Sequence, residues 1–188
     1  MNGAQADRLR NVLLDPVEAA LIEIDGTRAA VLVPLYERGD ELVAVLTRRR
    51  EDLRAHAGQI SFPGGRLDFE DEPLVTAALR EAAEEIGLAR EAVTVLGALT
   101  PIGVPASGFA LYPFVGAIAG PPEWTPSAHE VDAVLEPTLA ELVASHARRT
   151  IRRFGAEIET DTFLAEPDLI WGATARVIVD LLTRMGLL

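Results

Sequence analysis

The chain has no cysteine. That excludes disulfides, thiolate metal sites and a cysteine nucleophile, and it fits a reducing cytoplasm, the expected location. Aromatic residues make up only 5% of a chain that is otherwise rich in aliphatic side chains. No apolar run reaches membrane-spanning length without a charge or a turn signal, so no membrane partner is expected. Met1–Arg8 has no apolar core of the kind a secretory leader carries. Positive charge is scarce: 17 Lys and Arg stand against 29 Asp and Glu, a net charge of −12. That balance argues against a nucleic-acid polymer as partner. Internal repeats and low-complexity segments are also missing. The 188 residues suffice for one domain, residues 1–188, with a full core.

What the chain does have is an electrostatically unfavourable helix end. From Pro73 to Ile86 the sequence reads as a helix, with Pro73 at the first helical position and Gly87 as its C-terminal cap. Val75, Ala78, Leu79, Ala82 and Ile86 mark the buried stripe. Glu81, Glu84 and Glu85 crowd the last turn, where the helix dipole is negative. Glu81 and Glu85 are one turn apart, and like charges at that spacing cost roughly 0.2–0.5 kcal/mol. A solvated acidic face is the plain alternative. A bound hard cation reverses the sign of the local electrostatics and accounts for all three carboxylates. Just upstream, Gln59-Ile60-Ser61-Phe62-Pro63-Gly64-Gly65 ends in a glycine turn whose N–H groups can approach a phosphate closely.

These residues resemble the Nudix hydrolases. The family box is a glycine, five residues, a glutamate, seven residues, then Arg-Glu-apolar-x-Glu-Glu-x-Gly-apolar. Gly65 opens it here, and Arg80-Glu81-Ala82-Ala83-Glu84-Glu85-Ile86-Gly87-Leu88 closes it. The opening half is one residue too long, so Asp71 keeps the spacing from the glycine while Glu72 keeps the spacing to Arg80. The resemblance implies an α/β class protein with the Nudix fold, a mixed β-sheet sandwiched between α-helices. It also implies Mg²⁺ or Mn²⁺ held by Glu81 and Glu85, with Glu84 or Glu130 adding a ligand. Glu84 or Glu130 would be the catalytic base, and Arg80 would orient the carboxylates.

A narrower resemblance precedes the box. Members that cleave coenzyme A carry Leu-Leu-Thr-x-Arg-(Ser/Ala)-x3-Arg-x3-Gly-x3-Phe-Pro-Gly-Gly. Here Thr47, Arg49, Arg54, Gly58, Phe62, Pro63, Gly64 and Gly65 fall in place, while Val45 replaces Leu and Arg50 replaces Ser or Ala. The chain is therefore similar to the coenzyme A pyrophosphatases, with coenzyme A as the small-molecule partner. A protein with a net charge of −12 must hold that anion against its own field. Arg49 and Arg54, with Gly58, Gly64 and Gly65, are the expected substrate-binding residues, since arginine pairs bidentately with phosphate. Arg48 and Arg50 read as exposed turn residues, and His56 as a loop histidine or a substrate contact. An ADP-ribose or dinucleotide hydrolase and a non-catalytic nucleotide-binding module are the alternatives, though a module would be expected to have lost box glutamates.

Around the two motifs, which span residues 45–88, an N-terminal helical extension (residues 1–26) reads as interrupted at Asp15-Pro16. Strands are expected at Ala29–Leu35, Leu42–Thr47, Val93–Leu99, Leu111–Ala119 and Val131–Leu135, and a helix at Leu139–His146. Arg149–Phe154 and Glu157–Phe163 read as a hairpin turning at Gly155, before a closing helix from about Trp171 to Met185. Thr100–Phe109 is expected to be a substrate-side loop, and Trp171 is expected to pack in the core rather than stack on a substrate. Neither motif bears on oligomeric state.

Overall fold

The computed structural model describes residues 1–52, 58–120, 122–153 and 155–188. In chain order the elements are α1 (Gly3–Val12), α2 (Pro16–Ala20), β1 (Thr27–Arg38), β2 (Glu41–Ala44), β3 (Leu46–Arg49), β4 (Ile60–Ser61), β5 (Gly64–Arg66) and α3 (Leu74–Ile86). After a 3₁₀ turn come β6 (Val93–Ala98), β7 (Ile102–Val104), β8 (Phe109–Ile118), β9 (Val131–Leu135) and α4 (Leu139–Ser145). The chain ends with β10 (Ala147–Arg153), β11 (Ala156–Ala165), β12 (Asp168–Trp171) and α5 (Gly172–Arg184).

The long apolar run of β1 predicts a strand buried on both faces, and the structure places β1 at the centre of a mixed sheet. It pairs in parallel with β8, from Thr27 opposite Phe109 to Leu35 opposite Ala117. Its other edge carries two short antiparallel partners, β5 at Ala29–Val31 and β2 at Leu35–Arg38. The far edge of β8 is likewise shared by β7 and β6. Side chains alternate across this sheet. On one face Ala30, Leu32, Ala110, Tyr112 and Phe114 pack under Leu74, Ala77, Ala78, Ala82 and Ile86 of α3. On the other, Val31, Val33, Leu35 and Val115 pack with Val177, Ile178, Leu181 and Leu182 of α5. The expected sandwich of a mixed sheet between helices is what forms.

Several boundaries differ from the sequence expectation. The strand read as Leu42–Thr47 is two strands: β2 stays on β1, while β3 leaves to form a separate three-stranded sheet, β4-β3-β9. Part of Thr100–Phe109 is not loop but β7, paired to β8 at Phe109–Leu111. The hairpin β10–β11 gains a third strand, β12, which lay too close to the final helix for its period to separate. Pro73 caps α3 from outside, with extended backbone (φ −61°, ψ 131°), instead of opening it. No helix among the described residues is long and apolar enough to cross a membrane.

Candidate active site

Helix α3 ends where its sequence says it should. Gly87 takes the left-handed conformation, φ 71°, that a side chain would strain, and its N–H bonds the Ala83 carbonyl at 3.1 Å. Two carbonyls of the last turn are taken by the segment before β9: Thr125 N–H donates to Ile86 at 3.0 Å, and Ser127 N–H to Glu85 at 2.8 Å. Glu130 N–H then bonds back to the Ser127 carbonyl at 3.0 Å. This docking brings Glu130, distant in sequence, to the acidic end of α3.

The alanines at positions 77, 78 and 82 let α3 sit close to the sheet, and Glu85 is carried in with them, 7% exposed. Its Oε2 is buried with no hydrogen-bond partner among the described residues. Burial pushes the Glu85 carboxyl up to about 8; the charges of Glu81 and Glu130 add to this, and the Gly64 N–H and Arg49 pull it back. Glu81 is raised in the same way, burial first, with Arg80 opposing and Glu84 and Glu130 reinforcing. Glu81 lies against Gly65, where an added Cβ would stand 2.5 Å from Glu81 Oε1. Glu84 is exposed and, among the described residues, reaches Arg80 Nη1 at 3.4 Å.

Arg80 organises this end of the helix. Its guanidinium makes a fork with Glu72, Nε to Oε1 at 3.0 Å and Nη2 to Oε2 at 3.2 Å, donates from Nη1 to Glu81 at 2.9 Å and from Nη2 to the Arg66 carbonyl at 2.9 Å. Asp68 Oδ2 is 3.2 Å from Nε. Glu72 is buried, accepts the Asp68 N–H at 2.8 Å, and is held below the usual carboxylate range chiefly by the Arg80 hydrogen bond. Asp71 is exposed. The acid that keeps the spacing to the arginine is thus the one that meets it, and the extra residue is absorbed in the loop before it.

The described residues of the upstream motif lie on three short strands and their approaches: Thr47 and Arg49 on β3, Gly58 before β4, and Gly64 and Gly65 on β5. Thr47 is buried, with its Oγ1 3.3 Å from the Ser61 carbonyl. Gly58, φ 66°, donates to the Arg49 carbonyl at 3.1 Å, and Arg49 N–H donates to Gln59 at 3.0 Å. Arg49 Nη1 lies 3.6 Å from Glu130 Oε2. Arg48 is not a free turn residue: Asp132 and Asp168 hold it at 2.8 and 3.0 Å. Arg50 is tied to Asp52 at 2.7 Å and to the Ala128 carbonyl at 2.6 Å. Arg54 and His56 lie outside the described residues.

Arg49, Gly64 and Gly65 open onto a cleft of ≈ 470 Å³ on the α5 side of the sheet. Its other walls include Arg66, Phe109, Trp171 and Val177. Trp171 is therefore half-buried on the cleft wall, not enclosed in the core as expected, because β12 delivers it at the lip. Ala106 and Ser107, next to β7, line the same cleft, which fits the expected substrate side of Thr100–Phe109. Sequence reasoning passed over Arg66 and Phe109; the one available signal was that Arg66 directly follows the glycine pair. A larger recess of ≈ 610 Å³ lies elsewhere, lined by Leu135, Glu141 and Leu164, but it contains none of the motif residues.

Among the described residues, no three acidic or imidazole side chains are drawn into a ready ligand set. The donor chemistry nonetheless fits a hard divalent cation such as Mg²⁺ or Mn²⁺. The groups at hand are carboxyl oxygens, one of them, Glu85 Oε2, buried with no hydrogen-bond partner among the described residues, and a cation beside them would favour the ionised forms that burial disfavours.

A family model described as the NUDIX domain matches residues 26–154. A relative from Cronobacter sakazakii, named "Uncharacterized Nudix hydrolase NudL", is 40% identical over 161 residues, 85% of this chain and 83% of that protein. A protein of the same name from Klebsiella pneumoniae is 39% identical over the same shares. Among solved structures, a MutT/nudix family protein from Enterococcus faecalis covers 99% of this chain and 75% of its own, with a TM-score of 0.58 and 16% identity. An Ap4A hydrolase of C. elegans, as a binary complex, covers 61% of this chain and 81% of its own, with a TM-score of 0.51 and 20% identity. These two structures show a shared fold.

Proposed function

The chain belongs to the Nudix hydrolase family, and from that premise we propose that it hydrolyses the diphosphate bond of coenzyme A. The observation that carries the proposal is the meeting of the two motifs. Arg49 of the coenzyme A-type motif, on β3, lies 3.6 Å from Glu130, and Gly65 of the same motif, on β5, abuts Glu81. The diphosphate would lie across the Gly64–Gly65 edge, which lines the cleft together with Arg49. The cleft beyond it, with apolar Val177 and Trp171 on one side, suits the long arm of the substrate.

Glu81 and Glu85, with Glu84 or Glu130, would hold the divalent cation. When bound, such a cation neutralises charge on the phosphoryl oxygens and eases deprotonation of water. Arg80 keeps Glu81 in place. Arg49, paired loosely with Glu130, would exchange that carboxylate for a substrate phosphate, a stronger partner for its guanidinium. Glu130 is then free to take the proton as water attacks phosphorus and the bridging P–O bond breaks. Glu130 and Glu84 are both exposed, but the charge of Glu130 acts on Glu81 and Glu85 alike while Glu84 is drawn to Arg80, which favours Glu130 as the base. The products would be 4′-phosphopantetheine and adenosine 3′,5′-bisphosphate.

The test is turnover of coenzyme A, ADP-ribose and a dinucleoside polyphosphate side by side, with Mg²⁺ and then with chelator. The highest kcat/KM on coenzyme A, lost on chelation, is expected. A higher kcat/KM on ADP-ribose or the dinucleotide would reject coenzyme A as the substrate.

A further inference from the structure

Acids outnumber bases in this protein, and most of the arginines near the site are committed to carboxylates. Arg48 has two aspartates, Arg50 has Asp52, and Arg80 has Glu72 and Glu81. Arg66 differs. It lines the cleft, and its guanidinium has no carboxylate or hydrogen-bond partner among the described residues; it lies over the Phe109 ring, 4.9 Å from the centroid. The ring faces β5 because β5 and the start of β8 flank the same stretch of β1, Arg66 and Leu111 both pairing with Ala29. A cation on an aromatic face is restrained in position while its N–H donors stay available. Adjacent strand positions point to opposite faces. Gly65 presents its Cα to Glu81, so the Arg66 side chain projects away from the acidic cluster, across the cleft.

We infer that Arg66, positioned on Phe109, binds the phosphate monoester that the substrate carries apart from its scissile diphosphate. This inference rests on the coenzyme A reading, since coenzyme A bears such a group at the ribose 3′ position and ADP-ribose does not. An unpaired guanidinium in a field of net charge −12 recovers its lost counter-charge when that dianion arrives. The division of labour follows from strand alternation. Glu81 and the acidic cluster act on the diphosphate on one side of the glycine edge, and Arg66, on the wall of the cleft it shares with Arg49, reads the second anion on the other.

The experiment measures kcat/KM of the wild type, Arg66→Gln and Arg66→Lys on coenzyme A and on 3′-dephospho-coenzyme A. For Arg66→Gln we expect a ten- to hundredfold loss on coenzyme A and less than a twofold change on the dephospho compound, with partial recovery in Arg66→Lys. The dephospho substrate serves as the control for folding and for the chemical step. Equal losses on both compounds, or no loss on either, overturn the assignment while leaving the coenzyme A reading intact. If the wild type hydrolyses neither compound but does cleave ADP-ribose, the coenzyme A reading itself falls, and this inference falls with it.

Discussion

Replacing Glu85 with Gln should stabilise the metal-free protein at alkaline pH while removing its activity. The Glu85 carboxyl is pushed to about 8 by burial and by the charges of Glu81 and Glu130, against an ordinary 4.5 in the unfolded chain. Between these values the folded state binds the proton more tightly than the unfolded state. Stability therefore falls as pH rises from about 4.5 to about 8 and is level above that. At 1.36 kcal/mol per pH unit the gap gives a ceiling of about 5 kcal/mol. Relaxation and water entry around buried charges reduce this to on the order of 2 kcal/mol. Glutamine has nearly the same shape and never ionises, so Glu85→Gln should lack this slope. The assay is thermal melting in chelator from pH 4.5 to 8.5. Variant and wild type should coincide at the acid end, and the variant should melt roughly 4–8 °C higher at pH 8.5, taking about 2–4 °C per kcal/mol for a chain of this size. With Mg²⁺ the order should reverse if Glu85 is a ligand as proposed, and turnover should drop at least about a hundredfold. A wild type that melts as high as Glu85→Gln at pH 8.5 without metal would refute the electrostatic account of the helix end.

Arg80→Ala leaves Glu72 buried without its partner and should cost about 3–5 kcal/mol in denaturant unfolding, whereas Asp71→Ala, at an exposed position, should stay within about 0.5 kcal/mol. Comparable losses from both would mean that Glu72 is not the acid that anchors the arginine. Gly65→Ala places a methyl group 2.5 Å from Glu81 Oε1 and should push that carboxylate off Arg80, lowering the melt while turnover falls at least about tenfold. Full activity would show that the glycine is needed only for the turn. Arg54→Ala should lower kcat/KM on coenzyme A by about ten- to a hundredfold more than on ADP-ribose, the scale of a lost charge-assisted contact. Arg50→Ala should be milder, since Arg50 binds Asp52 and a backbone carbonyl; a larger loss there would separate the upstream motif from substrate choice.

Much of the site could be read from sequence because its parts are local. The period of α3, its Gly87 cap and the crowding of Glu81, Glu84 and Glu85 depend only on neighbours within a turn. The spacing of Thr47, Arg49 and Gly58 is likewise short-range, and these residues folded as one β3–β4 unit, while the glycine pair went to β5 on the edge of β1. Tertiary structure decided what spacing could not. The loop path selected Glu72 over Asp71 as the partner of Arg80. Docking of the Thr125–Ser127 segment on the end of α3 brought Glu130 within reach of Arg49 and Glu85, a long-range contact with no local signature. Parallel pairing of β1 with β8 set Phe109 beneath Arg66, and β12 carried Trp171 to the cleft. Hydrophobic period and caps encode where an element starts, ends and turns its apolar face; which elements become neighbours, and so which charges face one another, is fixed by the packing of the whole sheet.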